Sequence, residues 1–261
     1  MKTVITKCDF SYVMGQKDPD RDYFDEGFTQ ASSKEDYTRR FANRTDTISP
    51  DLSMFEPPRI IKPTKTHNRI RGVLDKSKYI NGEQDCLVGK SPAKDRHVYF
   101  IVNCAASSGI EIEEYRERAK YILSAYHTLL EAGYLPEIVL SDVAVYNKKG
   151  IRHIYMTMIP SADPVQVAYM LSDVDTFRYI MFKCEDVCTD VTKFGHNDRE
   201  SFISDLYDNG KGRPDSISKE DLMLLGFNNS RVVGSYEGMK YSDETNMKRV
   251  KTQLQNDMKA L

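Results

Sequence analysis

The stretch from residue 97 to residue 136 constrains the fold of this 261-residue chain more than any other part. An apolar run over residues 98–102 stops at the small polar loop 103–109, and a helical pattern follows. A buried strand, a tight serine-rich loop and a helix form the opening unit of a parallel α/β sheet. The ligand site of such a sheet normally lies at the carboxyl ends of its strands. The side chains expected there are those of Asn103, Ser107 and Ser108.

The segments that follow extend the same pattern. Apolar side chains recur at steps of three and four over residues 111–132, which predicts a long helix facing a sheet, and Gly133 is typical of the position after a helix. Two β-rich runs, 138–146 and 151–159, are joined by a short charged turn that contains a glycine. They predict an antiparallel hairpin. We therefore expect an α/β fold with a Rossmann-type sheet flanked by helices.

The whole chain divides into four segments. Residues 1–57 lack strong periodicity and predict a helical or irregular N-terminal extension, with a short helix near residues 34–43. Prolines at the start of residues 58–96 predict an extended connector. The α/β domain then spans residues 97–240, and a polar C-terminal helix is expected over residues 241–261.

The composition restricts the class of protein. With 40% hydrophobic and 29% charged residues the chain is globular. No apolar run approaches the roughly 18 residues of a membrane-spanning helix, and the first residues do not resemble a signal peptide. The five cysteines are an odd number and are scattered, which favours reduced thiols over a disulfide framework. We expect a cytoplasmic protein.

Charge is concentrated in the connector. The chain as a whole carries a net charge of -2, yet between residues 59 and 78 seven basic residues stand against the single acid Asp75. The basic residues are Arg59, Lys62, Lys65, Arg69, Arg71, Lys76 and Lys78. Such a segment predicts contact with RNA, with single-stranded DNA or with an acidic partner, and the alternative is a solvated connecting arm.

The order of strand, serine loop, long helix, long strand, hairpin and return strand resembles a von Willebrand factor A domain. That fold carries an Asp-x-Ser-x-Ser metal-ion-dependent adhesion motif at the end of its first strand. This chain has Asn103 and Ala105 in place of the leading aspartate and the first serine, so only Ser107 matches.

The sequence also resembles an uncharacterised family of tailed-bacteriophage proteins, a domain of unknown function, over about residues 73–196. The resemblance implies a fold and a viral origin, without a reaction. The motifs that carry it are residues 79–86, 103–109, 131–134 and 163–165, Phe177-Arg178 with Phe182 and Glu185, and Phe194-Gly195.

Three hypotheses compete for the loop. One is a nucleotide phosphate at the helix N-terminus, although the loop has neither a Gly-x-Gly-x-x-Gly nor a Gly-Lys-Ser/Thr signature. Mg²⁺ or Mn²⁺ held by Asn103, Ser107 and Ser108 would need a carboxylate as well, because hard cations prefer charged oxygen ligands. Asp142, Asp186 or Asp190 would have to fold alongside to supply it. The competing hypothesis is that the three side chains only satisfy backbone groups and cap the helix, and no cofactor is then expected.

Cysteine chemistry is the remaining possibility. Cys184, Cys188 and His196, with Cys104 as a fourth ligand, are spaced more loosely than structural zinc sites. Catalysis by Cys104 with His127 or His153 lacks an activating group nearby in the sequence.

We therefore expect a non-catalytic, phage-encoded protein-interaction or assembly factor in the cytoplasm of the host bacterium, with a phage or host protein as partner. An RNA- or single-strand-binding accessory protein using residues 59–78 is the alternative, and a metal-dependent enzyme is the third class.

Overall fold

The structure is a computed structural model that describes thirteen stretches of the chain. These are residues 2–17, 30–43, 48–59, 64–68, 73–82, 87–91, 96–106, 110–146, 150–159, 164–208, 213–227, 232–239 and 244–261.

Strands and helices are interspersed along the chain, as in an α/β protein. The described strands are β1 (Lys2–Cys8), β2 (Thr64–Asn68), β3 (Val73–Leu74), β4 (Leu87–Ser91), β5 (His97–Asn103), β6 (Leu135–Tyr146), β7 (Ile151–Met158), β8 (Arg213–Pro214) and β9 (Val232–Ser235). The described helices are α1 (Phe10–Gly15), α2 (Lys34–Asn43), α3 (Lys76–Ile80), α4 (Ile112–Glu131), α5 (Pro164–Ser172), α6 (Met181–Cys188), α7 (Arg199–Asp208), α8 (Lys219–Leu224) and α9 (Glu244–Lys259). A π-helical turn, Thr176–Ile180, precedes α6, and a 3-10 turn, Val191–Phe194, follows it.

The main sheet has the strand order β1-β7-β6-β5-β9, and β8 pairs with β6 beyond the end of β5. Strands β5, β6 and β9 run parallel, whereas β7 and β1 run in the opposite direction. The carboxyl ends of β5 and β9 are adjacent, because Val102 pairs with Ser235 while Asn103 pairs with Ser141 on β6. The Rossmann-like α/β fold expected from the sequence is confirmed.

Helices cover both faces of this sheet. On one face α4, α5, α6 and α9 bury the larger apolar core, and on the other α8 covers a smaller one. The predicted stripe of α4 faces the larger core, where Tyr115, Ala119, Ile122, Tyr126 and Leu129 are buried. Each large apolar side chain buried in this way contributes about 1.5–3 kcal/mol to the free energy of unfolding.

Several local predictions are confirmed. Helix α2 spans residues 34–43, and β6 and β7 form the antiparallel hairpin. Gly133 follows α4 with a φ of 88°, a left-handed conformation that glycine adopts without a steric penalty. The structure adds a cap at the start of α8, where Ser218 and Asp221 exchange a reciprocal pair of hydrogen bonds.

The expectation for the first residues is wrong. Residues 2–8 were expected to be helical or irregular, but they form β1 and pair in parallel with β7 at the edge of the main sheet. Only Val4 and Thr6 of this strand are buried, and Ile5 packs partly buried against the smaller core, because a short edge strand needs few apolar side chains. The division into four segments stays a prediction, with β1 contributing to the sheet of the third.

A small antiparallel sheet stands apart from the main one. Its order is β2-β4-β3, and its strands come from the basic connector.

Among the described helices, none combines the length and the apolar character that a membrane span requires.

Candidate functional site

Asn103 lies at the carboxyl edge of the main sheet and is fully buried. Its side-chain amide nitrogen donates to the carbonyl oxygens of Asp215 and Tyr236, both at 2.8 Å. Its side-chain oxygen accepts the backbone N–H of Ala105 at 3.0 Å. The amide therefore joins the loop after β5 to the segments before α8 and after β9, and both ends of the group are used for this.

Arg118 of α4 fills the space beneath the same loop. Its guanidinium donates to the backbone oxygen of Asn103, and it reaches the hydroxyl of Ser235 from Nε at 3.3 Å and from Nη2 at 3.1 Å. Burial lowers the pKa of Arg118, although a guanidinium stays protonated in proteins. Its Nη1 has no hydrogen-bond partner within the described stretches.

A glycine brings β9 close enough for this contact. A Cβ built at Gly234 would lie 2.5 Å from the backbone oxygen of Ile101 on β5, closer than real side chains come. Any other residue would push β9 away from β5, and Ser235 would then move away from Arg118.

The described part of the loop does not fit a hard cation at Asn103. The side chain of Asn103 is already bonded on both ends, and the permanent charge of Arg118 lies next to its backbone oxygen. Ser107 and Ser108 lie outside the described residues, so their part in the metal hypothesis stays a prediction. Among described residues, no group of three or more His, Cys, Asp or Glu side chains is arranged to hold a metal ion.

Two of the three carboxylates named as possible ligands, those of Asp142 and Asp186, both act on the phenol of Tyr146, and the third lies after α6. Asp142 is buried on β6, and its charge is one cause, after burial, of the raised pKa of the Cys104 thiol. Asp186 is buried on α6. Asp190 caps the 3-10 turn after α6 by accepting the backbone N–H and hydroxyl of Thr192. The charge of Asp142 therefore acts on Cys104, a residue of the loop.

A second polar cluster lies between α6 and the sheet, and we call it the acid cluster. Its centre is Glu185, which accepts the hydroxyl of Tyr146 and lies 3.5 Å from Nδ1 of His153. Nε2 of His153 is 2.9 Å from the hydroxyl of Thr6 on β1. Glu185, His153 and Tyr146 are all buried.

The acid cluster holds its tyrosines protonated. Burial, followed by the charge of Glu185, raises the pKa of Tyr146, and burial with the charge of Asp142 raises that of Tyr155. A phenol in this state donates a hydrogen bond and does not act as a base or a nucleophile. Glu185 was named in the sequence as a motif residue and His153 as a possible partner of Cys104, but their pairing was not predicted, because a contact between a helix and a strand leaves no spacing signal in the sequence.

The cysteines are not arranged as the zinc hypothesis requires. The thiol of Cys188 interacts with that of Cys8 on β1, and Cys8 also donates to the backbone oxygen of Cys184 at 3.5 Å. The ring of His196 packs against Phe202 with centroids 5.8 Å apart. Cys104 is buried and its pKa is raised by that burial, which disfavours the reactive thiolate.

The basic connector has a different character. Arg59 and Lys76 are exposed, Lys78 is half-buried and Lys65 lies on β2, whereas Lys62, Arg69 and Arg71 lie outside the described residues. Beside these lysines three apolar side chains face solvent. They are Leu74 at 43% exposure, Tyr79 at 63% and Ile80 at 80%. We call this surface, residues 74–80, the α3 patch.

Comparison with known proteins identifies a family and gives no activity. No curated protein and no solved structure matches the chain. One family model, described as a domain of unknown function (DUF7192), matches residues 73–249, which include α3, β5, α4, the hairpin, α6, β9 and the first part of α9. Because this match covers more than half of the sequence, the chain belongs to the DUF7192 family.

Proposed function

We propose that this protein is a non-catalytic interaction or assembly factor, encoded by a tailed bacteriophage, that acts in the cytoplasm of the infected bacterium. The phage origin and a von Willebrand factor A-like core rest on the sequence motifs at residues 79–86 and 103–109. The strand order β7-β6-β5-β9 is compatible with such a core.

One observation carries the interaction role: the α3 patch exposes large apolar side chains to solvent. Ile80 is 80% exposed and Tyr79 63% exposed, and both follow Lys76 and Lys78 on the same short helix. Large exposed apolar side chains surrounded by polar ones are typical of protein-binding surfaces. The lysines make an apolar pocket with an acidic rim the matching surface on a protein partner.

By contrast, the described residues at the carboxyl edge of the main sheet do not form a group of catalytic side chains. Asn103 and Arg118 form hydrogen bonds to backbone oxygens and to Ser235. Burial raises the pKa of Cys104, which keeps it a thiol. These groups hold the loop in place.

A second candidate is binding of RNA or single-stranded DNA. An exposed tyrosine next to lysines can stack on a base while the lysines contact phosphates, and Tyr79 with Lys76 offers this pair. Leu74 and Ile80 have no part in stacking, and their exposure favours a protein partner.

The test compares two exposed apolar positions. The tagged full chain is purified from infected cells with and without nuclease, and the bound partner is identified. The affinity of the purified partner is then measured for the wild type, for Ile80→Ser and for Met223→Ser. Met223 is 64% exposed on α8 and serves as the matched control. We expect nuclease-resistant binding that Ile80→Ser weakens by about tenfold or more and Met223→Ser leaves unchanged.

The nucleic-acid candidate replaces the first if the outcome is reversed. Binding of labelled RNA that falls steeply with salt, and that is lost on Tyr79→Ala and Lys76→Glu but not on Ile80→Ser, would show phosphate and base contacts instead.

A further inference from the structure

A cleft of about 350 Å³ lies where β9 ends and α9 passes over it. Its polar lining includes Ser235 at the end of β9 and Lys248, Arg249, Thr252, Gln253 and Asn256 of α9. The cleft opens at the carboxyl end of a parallel strand, the place where α/β sheets bind their ligands. No role proposed above uses it.

Two of the lining side chains, those of Lys248 and Arg249, are basic, and they stand against one carboxylate, that of Glu237, in a lining that also includes Tyr236 and Val250. Arg249 is partly neutralised by Glu237, whose carboxylate is 3.9 Å away, whereas Lys248 makes no ion pair with any residue that the structure describes. Two cationic side chains against one carboxylate attract an anion, and a guanidinium beside an ammonium suits phosphate oxygens.

Ser235 connects the cleft to the buried guanidinium. Its hydroxyl oxygen accepts from Nε and Nη2 of Arg118, so its own hydrogen is left to donate. A hydroxyl that accepts from a cation is a stronger donor, because the positive charge polarises the O–H bond. The hydroxyl of Ser235 therefore adds a hydrogen-bond donor to the floor of the cleft, and the guanidinium of Arg118 fixes its position.

The size of the cleft exceeds what a phosphate ion alone would fill. Lys248 and Asn256 are eight residues apart, which is about 12 Å along the helix axis. At the end away from the two cations, the amide of Asn256 offers a donor and an acceptor to the edge of a nucleobase, and Gln253, whose amide nitrogen donates to Asp257 at 2.8 Å, offers its amide oxygen. This length and this polarity fit an extended mononucleotide.

We propose that the cleft between the end of β9 and α9 binds a nucleoside monophosphate. The phosphate lies between Lys248 and Arg249 and accepts a hydrogen bond from the hydroxyl of Ser235. The base lies toward Asn256. This site is separate from the α3 patch and does not depend on the interaction role proposed for it.

Calorimetric titration of the full chain tests the proposal, with AMP, GMP, CMP and UMP as separate probes and inorganic phosphate as the fifth. We expect at least one nucleotide to bind with a dissociation constant below about 1 mM and inorganic phosphate to bind at least about tenfold more weakly. Lys248→Glu is expected to weaken nucleotide binding by about tenfold or more, because it removes a charged contact and adds a repulsive one.

Lys251→Glu is the matched control. Lys251 is exposed on the same helix, outside the lining of the cleft, and the substitution changes the net charge by the same amount. Binding to this variant should stay within about twofold of the wild type. The proposal is overturned by three results: no saturable binding of any of the four nucleotides, equal affinity for inorganic phosphate, or equal losses in the two lysine variants.

Discussion

The carboxyl edge of the main sheet and the α3 patch of the small sheet use their polar and apolar side chains in opposite ways. At the edge, Asn103 and Arg118 are buried and bonded to backbone or to Ser235. At the patch, Ile80 and Tyr79 are exposed and make little contribution to a core. The position of a polar loop in an α/β sheet therefore does not by itself identify a reactive site, because the same groups also hold adjacent strand ends together.

The largest effect expected at either of the two regions tests whether the carboxyl edge is structural. Arg118→Ala should lower the free energy of unfolding by about 3–4 kcal/mol. It leaves a cavity, and the backbone oxygen of Asn103 and the hydroxyl of Ser235 lose the guanidinium that donates to them. Urea unfolding measures this change. Lys120→Ala, at an exposed position on the same helix, should stay within about 0.5 kcal/mol of the wild type. Equal stability of the two variants would contradict a structural role for the guanidinium.

A second buried charge extends the comparison to the helices. Asp175 accepts the backbone N–H groups of Gln30 and Ala31, both at 2.7 Å, and pairs with Arg40 at 3.0 Å. Burial is nevertheless the largest influence, and with the charge of Asp173 it raises the pKa of Asp175 to about 6.

The sign of the resulting pH dependence follows from proton linkage. Between pH 4 and pH 6 the unfolded chain loses the proton of Asp175 while the folded chain keeps it, so rising pH favours unfolding. The free energy of unfolding of the wild type, relative to Asp175→Asn, should fall by about 3 kcal/mol over this interval and level off above it. Urea unfolding of both proteins at several pH values measures the difference. A difference that rises with pH would mean that the hydrogen bonds and Arg40 outweigh burial.

The metal hypothesis gives a prediction of intermediate size. Asn103→Asp restores the leading carboxylate of the adhesion motif, but a carboxylate cannot donate to the carbonyl oxygens of Asp215 and Tyr236. We expect the substitution to lower the free energy of unfolding at pH 7 by about 2 kcal/mol. Neither Mg²⁺ nor Mn²⁺ should raise the melting temperature of the variant or of the wild type. Stabilisation of the variant alone by Mg²⁺ would show that Ser107 and Ser108 complete a site.

Sequence reasoning worked best where the signal is local and repeated. The stripe of α4, the glycine after it and the β6–β7 hairpin all follow from the periodicity and turn residues of contiguous segments. The fold class follows from their order. Strand β1 was missed because an edge strand needs only two buried side chains, Val4 and Thr6, and seven residues give a weak pattern.

The candidate sites were harder to predict, since they depend on contacts between distant segments. Asn103 was identified from its position, but its partners lie 112 and 133 residues further along the chain. Arg118 looked like one of several charged residues on a helix, and only the fold shows that it is buried. The acid cluster joins Glu185 to Tyr146 across 39 residues and was not predicted for the same reason.

The smallest expected effect defines the other side of the comparison. Ile80 is 80% exposed on α3, whereas Ile122 is 1% exposed on α4. Truncation to alanine removes the same atoms at both positions, so the difference between the two variants measures burial alone. Ile122→Ala should lower the free energy of unfolding by about 2–5 kcal/mol and Ile80→Ala by less than about 0.5 kcal/mol. A loss above 1 kcal/mol for Ile80→Ala would place this side chain in a core of the folded chain and remove the argument that the α3 patch is kept apolar for a partner.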